Sequence, residues 1–243
     1  MTISAQTLAK LRQFDTPTIC NVIEVFEVRP RNVGFMDGRI RACFPEMPPV
    51  VGFAATATFR SSASPRAGDV YSAMEEQVRR FSELSGPAFV VFQDLDDPAV
   101  GATMGEIMCT AYQTFGSVGL ITSGGARDLD QIHRIGYPVF ANSVICAHAY
   151  CHVPQVHVPV HVGGLAIFPD DLLHADCNGV TTIPNDIAAE VADAGDEFVA
   201  AEAVVLETLH SQGANYQLFL EARAESKNLQ EKLRQKVSRK ILS

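Results

Sequence analysis

The chain has 243 residues, 47% of them hydrophobic, with a formal net charge of −9 and a pI of about 5.2. This acidic balance argues against nucleic-acid binding, and no apolar run approaches the roughly 18 residues of a membrane span. Residues 1–6 lack the basic and apolar parts of a secretory signal, and the six cysteines show no CxxC spacing. We therefore expect a cytoplasmic enzyme whose cysteines are small buried hydrophobes.

The amino-terminal part of the chain predicts a mixture of helices and strands. In chain order these are two helices, a loop-rich tract, a strand, a helix and a buried strand, over residues 4–13, 16–27, 29–49, 52–60, 71–84 and 88–93. Asp94, Asp96 and Asp97 follow the last strand, just before Pro98. Three clustered carboxylates can bind a metal, but a surface turn ended by proline explains them more simply, and we favour the turn.

The middle of the chain has the most informative spacing. Residues 105–115 predict a helix that opens on Gly105, and the apolar run 117–122 predicts a buried strand. Residues 123–125 predict a turn, and a further helix begins at Asp128. A helix N-terminus favours a carboxylate, and ligands of α/β sheets usually bind at the carboxyl ends of strands, so this stretch predicts a site.

An acid, a fixed cation and a second acid fall at these element ends: Glu106, then after twenty intervening residues Arg127 and Asp128. The amides of Ile107 and Met108 can hold a substrate carboxylate at the helix start. Arg127 can fork onto a 2-oxo oxygen, and Asp128 can ligate Mg²⁺ or Mn²⁺. The structural alternative is a solvated Arg127–Asp128 ion pair in which Asp128 is an ordinary helix cap.

The carboxyl-terminal part predicts short strands over residues 138–184, then helices over 185–210 and 213–240. The last helix is basic and has an apolar stripe with a period of four residues, formed by Leu229, Leu233, Val237 and Ile241. A basic amphipathic helix can lie on a membrane. Because the stripe is narrow and lacks aromatic residues, we favour packing against a neighbouring acidic subunit.

Five histidines lie close together in sequence, which suggests zinc: His148, His152, His157, His161 and His174. On an extended strand, however, His157 and His161 would be about 13 Å apart and could share an ion only if the chain bends, for which Pro159 is a candidate. We favour hydrogen-bonded histidines on a strand face or at a subunit contact. His174 and Asp176 alternate on a predicted strand, either beside the site or maintaining a turn in which Asp176 accepts backbone N–H groups, and we favour the turn.

Four further stretches accompany the acid and Arg-Asp frame: residues 14–23, Pro138-Val-Phe-Ala, residues 162–180 and Ile183-Pro184. Over most of its length the chain thus resembles the family of the regulator of ribonuclease activity A (RraA) and the 4-hydroxy-4-methyl-2-oxoglutarate aldolases. It departs from the aldolase pattern at Glu106, where the aldolases usually have Asp. It departs again at Gln131, where many relatives have Glu.

The resemblance implies an α/β fold with a swivelling β/β/α core, a flanking sheet and C-terminal helices. We expect one RraA-like domain over residues 1–243, with a helical extension over about 185–243. The resemblance also implies trimers, or hexamers made of two trimers, with sites between subunits. In the aldolase relatives an acid from the region of the helical extension reaches a neighbour's metal through water, and Glu202 is the best match. The histidine positions are not ligands in that family.

The expected function is a divalent-metal-dependent lyase. It would cleave 4-hydroxy-4-methyl-2-oxoglutarate, or a related 4-hydroxy-2-oxo acid, to pyruvate, with oxaloacetate decarboxylation as a side activity. Gly105, Glu106, Ile107, Met108 and Arg127 would bind the substrate, with Glu106 and Arg127 catalytic. Alternatives are a non-catalytic regulator that binds a protein partner, and another metal-dependent lyase or hydrolase acting on a sugar acid or dicarboxylate. The chain has no glycine-rich strand-loop-helix suited to S-adenosylmethionine, which argues against a methyltransferase.

Overall fold

The computed structural model describes residues 3–65 and 72–239. The helices are α1 (Ala5–Leu11), α2 (Thr16–Phe26), α3 (Ser72–Arg79), which continues as a 3-10 helix (Arg80–Glu83), α4 (Glu106–Thr114), α5 (Leu129–Arg134), α6 (Ala188–His210) and α7 (Tyr216–Val237). The strands are β1 (Arg41–Ala42), β2 (Val50–Arg60), β3 (Ala88–Asp94), β4 (Ala102–Met104), β5 (Gly119–Ala126), β6 (Val139–Val144), β7 (His152–Val156), β8 (Val160–Val162), β9 (Leu165–Ile167), β10 (Leu172–Asp176) and β11 (Gly179–Ile183).

One mixed sheet organises the molecule, in the order β1-β6-β5-β3-β2-β10-β11. Its centre is parallel, because β2, β3, β5 and β6 pair in parallel, while β1, β10 and β11 join antiparallel at the two sides. Two short strands extend it: β4 lies parallel to β5, and β7 pairs antiparallel with the far end of β2. Strands β8 and β9 form a separate hairpin. The predicted α/β fold with C-terminal helices is confirmed.

A separate hydrophobic cluster lies on each face of the sheet, because successive side chains of a strand point to opposite faces. One face packs on α3, α4 and α5 through residues such as Phe92 and Leu120. The other packs on the β8–β9 hairpin through Phe89 and Ile121. A third cluster joins α1, α2, α6 and α7 to β10 and the start of β2. The central strands are therefore buried on both faces, which explains their continuous apolar runs.

The apolar stripe of α7 packs within its own chain. Leu233 and Val237 are buried in the cluster that contains α2 and α6, so the prediction that they contact a neighbouring subunit is wrong. The basic side chains follow the same pattern, since Lys236 pairs with Glu197 of α6 at 2.6 Å. Ile241 lies outside the described residues. Within the described residues, no helix is both long enough and apolar enough to cross a membrane.

One predicted turn in the middle of the chain is wrong. Residues 123–125 do not form a turn but continue β5 to Ala126. Strand β4, which the sequence did not predict, pairs with this continued end of β5. Elsewhere the predicted helix over 71–84 is divided into α3 and the 3-10 helix, and Tyr71 lies outside the described residues. The last predicted helix ends at Val237, and Lys240 also lies outside the described residues.

The histidine tract is not one strand. His157 lies between β7 and β8 with a φ of 57°, so the chain turns at His157 itself. Among the described residues, no group of three His, Cys, Asp or Glu side chains is arranged to hold a metal. Nor are all the cysteines buried as expected, because Cys146 and Cys177 are exposed.

Candidate functional site

The site forms where β4 and β5 end side by side. Met104 of β4 pairs with Ala126, the last residue of β5. Gly105 then caps the start of α4, while Arg127 follows β5 directly. Parallel pairing thus carries two sequence-distant segments to the same sheet edge, the usual ligand position in such sheets.

Asp128 joins these two segments by a hydrogen bond. Its backbone is left-handed, with φ 57° and ψ 38°, and its Oδ2 accepts the N–H of Glu106 at 3.0 Å. The amides of Ile107 and Met108 follow in the same first turn of α4, where N–H groups have no partner within the helix. A Cβ at Gly105 would lie 2.6 Å from Asp128 Oδ2, so only glycine permits this approach. The carboxylate therefore caps a helix other than its own.

Arg127 and Asp128 lie close together, and both side chains are partly buried. Arg127 Nε lies 3.8 Å from Asp128 Oδ2, and the side chains are 28% and 35% exposed. Both line a cavity of about 140 Å³ that also contains Gly105, Glu106, Ile107 and Met108. All six residues that the sequence places in the catalytic, substrate-binding and metal roles within one subunit thus lie around one cavity, while their chemical roles stay predictions.

The loop before β7 supplies a wall that sequence reasoning missed. Its residues His148 and Cys151 line the same cavity. The N–H of Ile145 donates to the carbonyl of Ala126 at 3.0 Å, and the N–H of Ala102 donates to the carbonyl of Ala147 at 2.8 Å. These bonds attach the loop to the end of β5 and to the start of β4. They are tertiary contacts, so no local spacing in the sequence signals them.

The charges of Arg127 and Asp128 affect the pKa values of two nearby cysteines. Burial raises the pKa of the Cys151 thiol, and the positive charge of Arg127 partly opposes that rise. Burial also raises the pKa of Cys109 far above its ordinary value, and the negative charge of Asp128 adds to the rise. Both thiols are therefore held protonated, and neither is a thiolate nucleophile or a metal-binding thiolate in the free protein.

Glu202 does not line this cavity. It lies on α6 in a groove of about 690 Å³ between α6 and α7, together with Leu206, Phe219 and Arg223. Burial raises the pKa of Glu202, and the negative charge of Asp15 contributes to the rise. A role for Glu202 at the Asp128 site would therefore come from another copy of the chain, which stays a prediction.

The aspartates after β3 differ from the predicted surface turn. Asp96 does belong to a turn, since Oδ2 accepts the N–H groups of Ser61 and Ser62 at 2.7 and 2.9 Å. Asp94, in contrast, is the buried last residue of β3, and within the described residues its Oδ2 has no hydrogen-bond partner. Burial raises the pKa of Asp94 to about 6.

The His174–Asp176 pair is structural, as favoured from the sequence. Asp176 accepts the N–H of Thr16 at 2.8 Å through Oδ2 and the N–H of Asn178 at 2.8 Å through Oδ1. His174 is fully buried, with Nδ1 2.9 Å from the Thr16 hydroxyl and Nε2 3.1 Å from the Leu11 carbonyl oxygen. Burial lowers the pKa of His174. This network fixes the α1–α2 corner to β10 and has no part in the cavity wall.

Comparisons with known proteins agree on the family. The family described as RraA-like, Aldolase/RraA, matches residues 16–182. A protein of Halalkalibacterium halodurans, provisionally named as a 4-hydroxy-4-methyl-2-oxoglutarate aldolase, is 29% identical over 101 residues. That alignment covers 41% of this chain and 48% of the relative, so the chain spans about half of the relative's length.

Solved structures share the fold. An uncharacterized protein from Pseudomonas syringae pv. tomato superposes with a TM-score of 0.71 and 21% identity, covering 92% of this chain and 99% of that one. Streptomyces coelicolor RraAS2, described as an unusual member of the RNase ES inhibitor RraA protein family, superposes with a TM-score of 0.67 and 19% identity. That superposition covers 84% of this chain and 96% of the other.

Proposed function

Because this chain belongs to the RraA-like family, Aldolase/RraA, we propose that it is a lyase that forms pyruvate from a 4-hydroxy-2-oxo acid. 4-Hydroxy-4-methyl-2-oxoglutarate is the leading candidate substrate, with oxaloacetate decarboxylation as a second activity. The observation that carries this proposal is the single cavity shared by Arg127, Asp128 and the first turn of α4. It combines a fixed cation, an open carboxylate and free amides, which together suit a 2-oxo carboxylate.

Arg127 and α4 would bind the reacting end of the substrate. The amides of Ile107 and Met108 receive the carboxylate, and the Arg127 guanidinium forks towards the 2-oxo oxygen. Cleavage of the bond between C3 and C4 leaves an enolate whose negative charge develops on that oxygen. Arg127 stabilises this charge from a position fixed before the reaction begins, which is the arrangement that lowers a barrier most effectively.

Asp128 would hold the divalent metal. Its Oδ2 is used by the Glu106 amide, which leaves Oδ1 for a cation. The described residues offer no cluster of three ligands, so the donor set suits Mg²⁺ or Mn²⁺, which can keep several waters around one carboxylate. When bound, the ion supplies Lewis-acid polarisation of the 2-oxo group. In this proposal Glu202 of a neighbouring copy, in a trimer or hexamer, contributes an outer ligand through water.

Glu106 would be the base in aldol cleavage. It is exposed at the first position of α4, at the mouth of the cavity. Its carboxylate takes the proton of the 4-hydroxyl, directly or through water, as the C3–C4 bond breaks. Decarboxylation of oxaloacetate yields the same enolate and needs no such base. The two activities therefore separate the role of Glu106 from the roles of Arg127 and Asp128.

The test is pyruvate release from both compounds, with Mg²⁺, with Mn²⁺ and with a chelator. Wild type should release pyruvate only with a metal. Arg127→Ala and Asp128→Ala should each lower kcat/KM at least 100-fold on both substrates, an effect of the size seen when one electrostatic donor is removed. Circular dichroism and thermal unfolding check that the variants remain folded.

Glu106→Gln tests the assignment of Glu106 as the base. This variant should lose aldol cleavage and keep oxaloacetate decarboxylation. Full activity of Arg127→Ala would refute the mechanism. If wild type releases no pyruvate under any condition, the lyase proposal is wrong. The alternative, a non-catalytic regulator that binds a protein partner, would then be tested by affinity capture.

A further inference from the structure

His148 is held with one ring nitrogen engaged. Its Nδ1 lies 2.7 Å from the carbonyl oxygen of Ala149. A carbonyl oxygen only accepts, so the proton of the neutral ring is on Nδ1, and Nε2 is left to gain or lose a proton. This is the arrangement by which a backbone carbonyl orients a histidine that transfers protons.

The position of His148 is fixed by the start of β4. A Cβ at Gly101 would lie 2.8 Å from the His148 carbonyl oxygen, so the loop and β4 are in direct contact there. The adjoining Ala102–Ala147 hydrogen bond holds the loop beside the strand that leads into Gly105. His148 thereby lines the small cavity while remaining exposed to solvent, so its ring can exchange protons with water.

The proposed chemistry lacks a group that protonates the enolate. Among the described residues that line the cavity, Arg127 is assigned to the enolate oxygen, Glu106 to the base and Asp128 to the metal. Cys151 is buried, and burial raises the pKa of its thiol, which makes it a weaker proton donor than an imidazolium. Among the residues that line the cavity, His148 is the remaining one whose side chain commonly donates and accepts protons in enzymes.

We infer that His148 is a further catalytic residue of this site, which delivers the proton that converts the pyruvate enolate to pyruvate. The inference rests on the proposed lyase function. In the step the Nε2–H bond breaks and a C3–H bond forms from the electron pair of the C2–C3 double bond. The enolate oxygen returns its charge to form the C2 carbonyl. The imidazole is left neutral and regains its proton from water at its exposed side.

The same step run backwards exchanges the methyl protons of pyruvate. In D₂O with Mg²⁺, wild type should therefore replace pyruvate C3 hydrogens with deuterium, which proton NMR measures directly. His148→Gln should slow this exchange at least about 100-fold, the lower end of the range for removing a general acid or base. Added imidazole should restore exchange to His148→Ala, which a merely structural defect would not allow.

His152→Gln is the matched control. His152 has the same bond from Nδ1 to a backbone carbonyl, at 2.9 Å from Tyr150 O, but it begins β7 and is not part of the cavity wall. Its variant should exchange at the wild-type rate. Wild-type exchange in His148→Gln, with pyruvate release intact in wild type, would overturn this inference alone. Absence of both exchange and pyruvate release in wild type would overturn the lyase proposal and this inference with it.

Discussion

Two carboxylates in this fold cap the first amide of a helix that lies far from them in sequence. Asp176 accepts the N–H of Thr16, the first residue of α2, and Asp128 accepts the N–H of Glu106, the first residue of α4. Helix α2 also has a local cap, because Asp15 accepts the N–H of Thr18, whereas the N-cap of α4 is Gly105, which has no side chain. In both cases the long-range bond fixes a helix to a strand end.

They differ in what surrounds the remaining oxygen. Asp176 is 5% exposed, and its Oδ1 accepts the N–H of Asn178. The Asp128 side chain is 35% exposed, faces a cavity, and lies beside Arg127. A carboxylate whose hydrogen-bonding capacity is filled stabilises the chain, whereas one with an open oxygen beside a cation can also bind a ligand. Both residues are aspartates, so residue type does not distinguish their roles. The surroundings of the second oxygen mark Asp176 as structural and Asp128 as a candidate functional residue.

The largest effect on stability should come from the closed carboxylate. Asp176→Ala leaves the Thr16 and Asn178 amides without their acceptor, and the Thr16 amide is buried. We expect the free energy of unfolding to fall by about 2–4 kcal/mol, since each unsatisfied buried group costs about 1–3 kcal/mol. Denaturant unfolding followed by circular dichroism measures this loss, and kcat/KM at a temperature where the variant is folded should be close to wild type.

Asp128→Ala is the matched control for that measurement. It removes one helix-capping bond at a partly exposed position, so the free energy of unfolding should fall by only about 1 kcal/mol. Activity should respond in the opposite order, with a large loss in this variant and little in Asp176→Ala. Equal losses of stability in the two variants would break the distinction between the closed and the open carboxylate.

Asp94 extends the comparison to a buried carboxylate that is only half satisfied. Oδ1 accepts the N–H of Asp96 at 3.0 Å, Oδ2 has no partner among the described residues, and burial raises the pKa to about 6. The folded protein thus holds this proton more tightly than the unfolded chain. Its stabilising contribution is complete below about pH 4 and is lost as the pH rises through about 6.

Asp94→Asn should therefore stabilise the protein at alkaline pH only. At pH 8 the variant should exceed wild type by about 1–3 kcal/mol in the free energy of unfolding, because the charged form is removed from a buried position. At pH 4 the two proteins should be equally stable. Glu225→Gln controls for the loss of one negative charge, because Glu225 is exposed on α7 and is not among the charges that shift the pKa of Asp94. A gain that does not change with pH would refute the assignment of the charge penalty to Asp94.

The sequence predicted those parts of the fold whose signals are local. The apolar run 88–93 and the amphipathic segments near both termini correspond to β3 and to the helices. Residues 123–125 predict a turn, because paired glycines usually break strands. In the fold, Gly125 lies within β5, and a Cβ added there would be 2.8 Å from the Ile145 side chain, so this strand position requires glycine. Such a requirement depends on tertiary packing that the sequence does not display.

The candidate site shows the same division. The Arg-Asp pair and the helix start at Gly105 have local signals, and the structure brings them together. The bond between Asp128 and the Glu106 amide, and the approach of His148, depend on β4 lying beside β5. Strand β4 has only three residues, too few for a period to be recognised. The sequence therefore does not predict that the loop before β7, with His148 and Cys151, forms a wall of the cavity.

The smallest predicted effect concerns the length of the acid at position 106. Glu106 is attached to the site through its own amide, which is bound to Asp128, so a shorter side chain keeps its backbone anchor. Glu106→Asp moves the carboxylate by about 1 Å, a displacement to which catalysis is sensitive. We expect aldol cleavage to stay within about tenfold of wild type in either direction, with oxaloacetate decarboxylation unchanged, in paired kcat/KM measurements. If Glu106→Asp loses all aldol cleavage while its fold is intact, a shared role for the two acids is excluded. If decarboxylation falls as well, Glu106 acts on the common enolate, and the open carboxylate site would need a different assignment of base and acid.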